Sequence, residues 1–377
     1  MKTLSSKELA VGMVTTQPIR TPLGQILAPA GTIIDQRLLR HIAIYRVDYV
    51  TVDEESIPSM ADAAENTTLP EDKPAEEFDL KASVKKMTSA QKAASSVEVH
   101  KFEVEYFSAI QQIKPFLLAA VEKGTTIPCE ELLDIIYQLF EEKTVQQMFD
   151  LLRNLRSNTD LVYAHSLNVA LTARMLGRWL KMDMHDLNQL TIAGLLHDIG
   201  KLTIPEEILD KPGTLSDEEY AIMKSHTKRG YDILKNMDLD SRIKKAALMH
   251  HERCDGSGYP SGLTEENIDD FAMIIGIADV YDAMTAARSY RSPLCPFQVI
   301  ANFEKDGYQK YQTKYILTFL RKIAVTYQSN RVILSDGRGC NIAMLNSQGL
   351  SRPLVRFDDN SCLDLSKERD LFIKTVI

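Results

Sequence analysis

Six of the eight histidines in this 377-residue chain fall between positions 165 and 251. The most telling is in TIAGLLHDIGK, Thr191 to Lys201, where an apolar helical run ends in His197 and Asp198. Burying an imidazole and a carboxylate is costly unless something pairs with them, and a metal ion is the commonest such partner. Adjacent helical residues point roughly 100° apart, so the pair can hold one ion through the imidazole and share the carboxylate with a second. Gly200 is expected to break the helix, with Lys201 following. An isolated His-Asp pair is more often a core histidine bonded to its neighbour, so the weight rests on the accompanying residues. His165 lies beside the packed face of YAHSLNVALTARML, and His226 in MKSHTKRGYDIL. His250 and His251 end IKKAALMHH, and Asp279 ends the apolar run FAMIIGIAD much as Asp198 ends its own. His41, His100 and His185 lack such a setting and carry no expected role.

Together these residues supply five imidazoles and two carboxylates at apolar helix faces or ends, enough for two divalent ions bridged by one carboxylate. The expected division is His165, His197, Asp198 and Asp279 on one ion, with Asp198 bridging to a second held by His226, His250 and His251. Two divalent ions bring about +4 and the carboxylates remove 2, leaving a positive site suited to a hydroxide and a phosphate oxygen. The ions lower the pKa of a shared water, giving a nucleophile at neutral pH, while they also neutralise phosphoryl oxygens during in-line displacement. Phosphodiester hydrolysis follows, with Asp198 and Lys201 as the catalytic residues.

Two neighbouring stretches suit a nucleotide substrate. In HHERCDGSGYPSGL, glycines permit tight turns near a ligand, and Tyr259 on that loop can stack on a base; an ordinary Gly/Pro loop with a structural aromatic explains it equally well. In VYDAMTAARSYRSPL, Arg288 and Arg291 are candidate phosphate clamps, against the alternative of solvated surface arginines. Lys201 reaches toward a non-bridging phosphate oxygen or the leaving group.

The elements that must position these groups make a mainly α protein. Residues 1–55 read as a small α+β unit, with strands in VGMVTTQPI, GQILAPAGTII and DYVTV and a helix from Asp35 to about Tyr45. Residues 56–95 have the Ala-, Glu-, Pro- and Ser-rich composition of a flexible linker. Residues 96–325 are helical, opening with Val97 to about Glu122 and Cys129 to about Arg156, whose apolar stripes such as Phe107, Ile110, Ile113 and Leu117 indicate core packing. RVILSDG, CNIAML and PLVRF mark 326–377 as a small β appendage. No 20- to 50-residue repeat is present.

Composition narrows the function classes. A net charge of −8 argues against broad DNA binding, which depends on neutralising many phosphates. No apolar stretch has signal-peptide or membrane-span character, and the five cysteines are scattered without a CxxC pair. A cytoplasmic protein without a disulfide framework is expected.

The order H…HDIGK…H…HHERCDGSGYP…D, over about Asp160 to Leu294, resembles the HD-GYP family of HD metal-dependent phosphohydrolases that hydrolyse cyclic di-GMP. The N-terminal LSSKELAVGMVTTQPIRTPLGQILAPAGTII is similar to an accessory domain found ahead of such domains. The resemblance implies a helical HD-type domain, the metal roles above, iron or manganese as the two ions, phosphate contacts from Lys201, Arg288 and Arg291, and guanine contact from Gly258, Tyr259 and Pro260. Some members add a glutamate one turn before the first histidine for a third metal; here that position is Leu161, and Asp160 is expected to point off that face. A two-metal site and pGpG as main product, with GMP a further product, are therefore expected. The alternatives are a dinucleotide-responsive or protein-docking module with little catalysis, and a phosphodiesterase for another cyclic dinucleotide. Signalling partners would dock through the N-terminal domain or the GYP loop, and the helices before residue 160 would support a homodimer.

Overall fold

The computed structural model describes residues 2–6, 8–20, 26–34, 38–39, 42, 47, 49–56, 97–140, 143–155, 161–211, 213–285, 294–347, 349–368 and 370–377. The chain divides into two compact units, Met1–Lys81 and Ala82–Ile377. The helix expected from Asp35 to Tyr45, the linker beyond Ser56, and Asp160, Arg288 and Arg291 lie largely or wholly outside the described residues.

In the first unit, β1 (Lys2–Ser5) pairs antiparallel with β4 (Tyr49–Val52), placing Leu4 opposite Val50, and β2 (Ile19–Arg20) pairs with β3 (Ile26–Ala28). Leu4, Met13, Ile19, Ile34, Ile42, Val50 and Val52 fill its core. Two sequence expectations change here. β1 was not anticipated, and within VGMVTTQPI only Ile19 belongs to a strand, while Val14 and Thr15 form isolated bridges to Ile33 and Val52.

The second unit begins with α1 (Val97–Lys123), α2 (Cys129–Phe140) and α3 (Val145–Asn154). The single helix expected over Cys129 to Arg156 is therefore two. Thr144 starts α3 with a capping box, its hydroxyl accepting from the Gln147 N–H while the Gln147 side chain accepts from Thr144 N–H. Next come α4 (Leu161–Trp179), α5 (Met184–Leu196), a 3-10 turn over Ile199–Thr203, α6 (Glu206–Leu209), α7 (Asp217–Lys224), α8 (His226–Leu234), α9 (Ser241–Met249), α10 (Asp270–Thr285), α11 (Pro296–Lys310) and α12 (Thr313–Thr326). Gly200 does not break α5, which has already ended at Leu196; the chain runs through Gly200 as 3-10 helix.

An antiparallel sheet of order β8-β7-β6-β5-β9 follows: β5 (Arg331–Leu334), β6 (Gly339–Met344), β7 (Leu354–Arg356), β8 (Cys362–Asp364) and β9 (Ile373–Val376). Val332, Leu334, Ile342, Val355 and Ile373 join the same buried cluster as the helices. The last two strands were not read from sequence.

One packing detail sets the site. On α10, Asp279 and Asp282 are one turn apart on one face, while Tyr281 points the other way. Tyr281 is buried edge-on against Phe149 of α3 and Phe319 of α12, with ring centroids 5.6 and 5.1 Å away. Burying a large apolar side chain contributes roughly 1.5–3 kcal/mol, so this anchor fixes the roll of α10 and turns both carboxylates toward α4.

Candidate metal centre

All seven expected ligands meet. His165 comes from α4, His197 and Asp198 from the junction of α5 with the 3-10 turn, His226 from the first position of α8, His250 and His251 from the end of α9, and Asp279 from the middle of α10. They form two groups, Asp198 with His226, His250 and His251, and His165 with His197 and Asp279, the ligand atoms of each group lying within 4.8 Å of one another. Gly276 permits the approach of α10 to the end of α9, because a Cβ there would lie 2.7 Å from the His250 carbonyl oxygen.

Asp198 joins the groups. Its Oδ2 is 3.3 Å from His165 Nε2 and 3.2 Å from His197 Nε2, while its Oδ1 is 3.2 Å from His226 Nε2 and 3.5 Å from His250 Nε2. His165 Nε2 also lies 3.2 Å from Asp279 Oδ1, and His251 Nδ1 is 3.7 Å from Asp279 Oδ2. Lys201 sets its ammonium on Asp198 Oδ2.

Hydrogen bonding fixes which ring nitrogen faces the centre. His197 Nδ1–H donates to Gly194 O at 2.7 Å, His226 Nδ1–H to Met223 O at 2.6 Å, and His250 Nδ1–H to Ala246 O at 3.0 Å. A carbonyl only accepts, so each Nδ1 carries a proton, and in the neutral ring that can bind a metal the Nε2 lone pair faces inward. His226 Nε2 and His250 Nε2 then face each other at 3.3 Å and face Asp198 Oδ1, acceptor against acceptor. Buried His197 Nε2 and Asp198 Oδ1 have no hydrogen-bond partner among the described residues. Converging buried lone pairs are costly unless a cation lies between them, so this nitrogen and oxygen donor set fits divalent first-row metal ions.

The titration of these groups agrees. Burial opposes charge on Asp198, but His197, Lys201 and the hydrogen bond from His165 hold its carboxyl well below the usual range. Burial similarly opposes charge on His165, yet hydrogen bonds to Asp198, Asp279 and Asp282 raise it well above an ordinary imidazole. Burial pushes His250 down to about 4, and burial with the neighbouring His250 lowers His251. At neutral pH the metal-free protein thus keeps a proton on His165 that an ion must displace, while His250 and His251 are already neutral. Loading with Mn²⁺ at pH 7 is expected to release about one proton per chain, more as pH falls toward 4 and less as it rises through the elevated His165 value. Calorimetric titrations in buffers of different ionisation enthalpy measure this, and heats independent of buffer would contradict it.

Sequence reading missed the groups that hold the ligands. Asp282 Oδ2 accepts from His165 Nδ1 at 2.7 Å, and its Oδ1 accepts from Asn168 Nδ2 at 2.9 Å. A carboxylate on the distal nitrogen of a metal-bound imidazole fixes the ring and raises its basicity. Asp282→Asn is expected to weaken Mn²⁺ binding about 10- to 100-fold while leaving the fold intact, as measured by equilibrium titration. The one available signal was spacing, Asp282 following Asp279 by one turn.

The loop after His251 is held by buried Glu252, whose carboxylate accepts from Ser261 N–H at 2.7 Å and Leu263 N–H at 2.9 Å. Gly258 lies so close to Glu252 that a Cβ would be 2.4 Å from its Cα. Tyr259 stacks on His251, ring centroids 4.6 Å apart at 29°, so one face of the expected base platform is covered by a candidate ligand. Pro260 follows on the exposed side of the loop. Leu161 opens α4 exposed to solvent, and its hydrocarbon side chain offers no ligand atom.

A helical unit built around a His/Asp cluster defines an HD domain, and residues 143–314 match that family. Residues 143–314 thus carry an HD domain, and the chain is similar to several cyclic dinucleotide phosphodiesterases. It is 31% identical over 204 residues to a cyclic di-GMP phosphodiesterase of Pseudomonas aeruginosa, covering 54% of this chain and 49% of that one. It is 41% identical over 135 residues to a cyclic di-GMP phosphodiesterase of Thermotoga maritima, 35% of this chain and 37% of that one. It is also 41% identical over 138 residues to 3'3'-cGAMP-specific phosphodiesterase 1 of Vibrio cholerae, 37% and 32% of the two chains. The chain thus spans less than half the length of these curated relatives. A solved HDG"Y"P protein from Bdellovibrio bacteriovorus shares the fold at a TM-score of 0.50 and 16% identity, over 85% of this chain and 99% of that one. Among the described residues no helix is long and apolar enough to cross a membrane.

Proposed function

We propose that this chain is a metal-dependent phosphodiesterase that hydrolyses cyclic di-GMP to pGpG. The observation that carries the reading is the Asp198 carboxylate, whose two oxygens face separate sets of imidazole nitrogens. His165, His197, Asp198 and Asp279 would hold one divalent ion, and Asp198, His226, His250 and His251 a second, with iron or manganese suited to such mixed nitrogen and oxygen ligands. Bound there, the ions supply an activated water and neutralise phosphoryl oxygens.

The remaining work belongs to the chain. Lys201 keeps a cation at Asp198, from where it steadies a non-bridging oxygen or the leaving alkoxide. Tyr259, with Gly258 and Pro260 setting its loop, contacts a guanine through its edge or the face away from His251. Arg288 and Arg291, outside the described residues, would clamp the phosphates. Leu161 in place of a third-metal ligand favours a stop at pGpG over complete conversion to GMP. The five scattered cysteines, two of them buried, suit the reducing cytoplasm. Residues 1–55 are assigned to regulation or partner docking, and homodimerisation to the helices before residue 160.

Metal analysis coupled to product analysis tests the reading. Protein loaded under reducing conditions should carry about two ions per chain and release pGpG; binding of cyclic di-GMP without any hydrolysis would favour the docking-module alternative. The similarity to a 3'3'-cGAMP-specific enzyme, equal in identity to that with the Thermotoga relative, motivates a second reading. Parallel assays with cyclic di-GMP and 3'3'-cGAMP separate the two by their kcat/KM values.

A further inference from the structure

The carboxylate behind His165 is itself held by a chain of side chains that begins outside the HD domain. Tyr106 lies on α1, well before residue 143 where the family match starts, and is almost wholly buried. Its hydroxyl donates to Asn168 Oδ1 at 2.6 Å, with the Ala164 carbonyl 3.0 Å away. Asn168 Nδ2 donates to Asp282 Oδ1 at 2.9 Å, and His165 Nδ1 lies 2.7 Å from Asp282 Oδ2.

The polarity of this chain is dictated from its far end. An ionised carboxylate only accepts, so Asn168 must present its amide N–H₂ to Asp282 and its carbonyl to Tyr106. That carbonyl also only accepts, so Tyr106 must donate. Burial, with Asp282 nearby, raises the Tyr106 phenol well above its ordinary range, which keeps the hydroxyl a donor. Asp282 thus receives one donor on each oxygen. Removing the Asn168 contact would leave the carboxylate free to rotate, and with it the ring of His165.

We propose that Tyr106 is a positioning residue for the metal centre, and that α1 is therefore a working part of the site. Through Asn168 and Asp282 it sets the aim of His165 Nε2. Because α1 is the first described helix after the N-terminal unit in sequence, displacement of this helix would change metal affinity without touching a ligand. This rests on the metal-dependent reading above.

Equilibrium Mn²⁺ titration of the full chain and of Tyr106→Phe, Asn168→Leu and the double variant tests it. Tyr106→Phe is nearly isosteric and removes only the hydroxyl; it should weaken Mn²⁺ binding about three- to ten-fold, the loss of one buried hydrogen bond. In the double variant the tyrosine change should add nothing to the Asn168 effect, because the two act in series. Tyr137→Phe is the control. It removes a similar tyrosine to asparagine bond, to Asn188, away from the ligands, and should lower the melting temperature with Mn²⁺ affinity unchanged. Unaltered affinity in Tyr106→Phe, or additive effects in the double variant, overturns the proposal. Failure of the unmodified chain to bind Mn²⁺ instead overturns the metal-dependent reading beneath it.

Discussion

Asp198→Ala is expected to lose both ions, with hydrolysis of a cyclic dinucleotide falling about 10³-fold or more. Each oxygen of this carboxylate faces a different group of imidazoles at 3.2 to 3.5 Å. Removing it takes a ligand from each ion at once. The ion at His226, His250 and His251 would be left with neutral donors alone, since Asp279 is the other carboxylate among the seven and lies with His165 and His197. Charge stabilisation by a bound metal is worth several kcal/mol at a phosphoryl centre, which converts to about three decades of rate. Asp198→Asn keeps the shape and removes the charge, so it should behave nearly as badly if charge is what matters. Elemental analysis of both purified variants, with circular dichroism to confirm the fold, is the measurement. Two retained equivalents of metal in either variant would contradict a bridging role.

The same residue shows how much could be read without coordinates. Six of the seven candidate donors were legible because each lies beside or at the end of an apolar run, where a charged or imidazole side chain needs an explanation, while His226 was singled out only in company with them. Their division into two groups was legible from the shared carboxylate. The second layer was not. Asp282 looks like an ordinary polar position of a helix, and only the edge-on burial of Tyr281 reveals which way it is rolled. Tyr106 was lost in an amphipathic stripe that core packing explains adequately, and its partner is 62 residues away in sequence. Tyr259 was legible as a special aromatic, but its stacking on His251 was not. In the fold, the helices of residues 161–326 were plain from periodicity. The short strands β1, β8 and β9 were not, because each depends on a partner strand and carries little alternation of its own. β9, for example, closes on β5 some forty positions earlier in the chain. The break between α2 and α3 depends on a capping box of two residues, which a long apolar periodicity conceals.

Gly200→Ala should be among the most damaging small substitutions at the described residues, although it adds one methyl group and replaces no ligand. A Cβ at position 200 would lie 2.0 Å from the His226 carbonyl oxygen, 2.6 Å from Gly230 N and 2.9 Å from the His226 carbonyl carbon. All three are backbone atoms of α8, so no rotamer change relieves the clash. The 3-10 turn and α8 must separate by more than about 1 Å, and interiors resist such shifts at a cost of about 3 kcal/mol or more. That is a large fraction of the roughly 5–15 kcal/mol by which a folded protein is stable, and it corresponds to a fall in melting temperature of roughly 5–10 °C. The displacement also carries His226 away from Asp198 Oδ1, now 3.2 Å distant, so the second group of ligands should loosen before the first. Gly307→Ala supplies the contrast. Gly307 lies inside α11, where a Cβ would meet Phe303 at an ordinary 3.5 Å, and replacing a mid-helix glycine with alanine should stabilise the protein by about 0.5–1 kcal/mol. Thermal unfolding of the two variants, read beside their Mn²⁺ stoichiometry, decides the matter. If Gly200→Ala melts with the parent and still holds two ions, the close approach of the turn to α8 is not what joins the two halves of the centre.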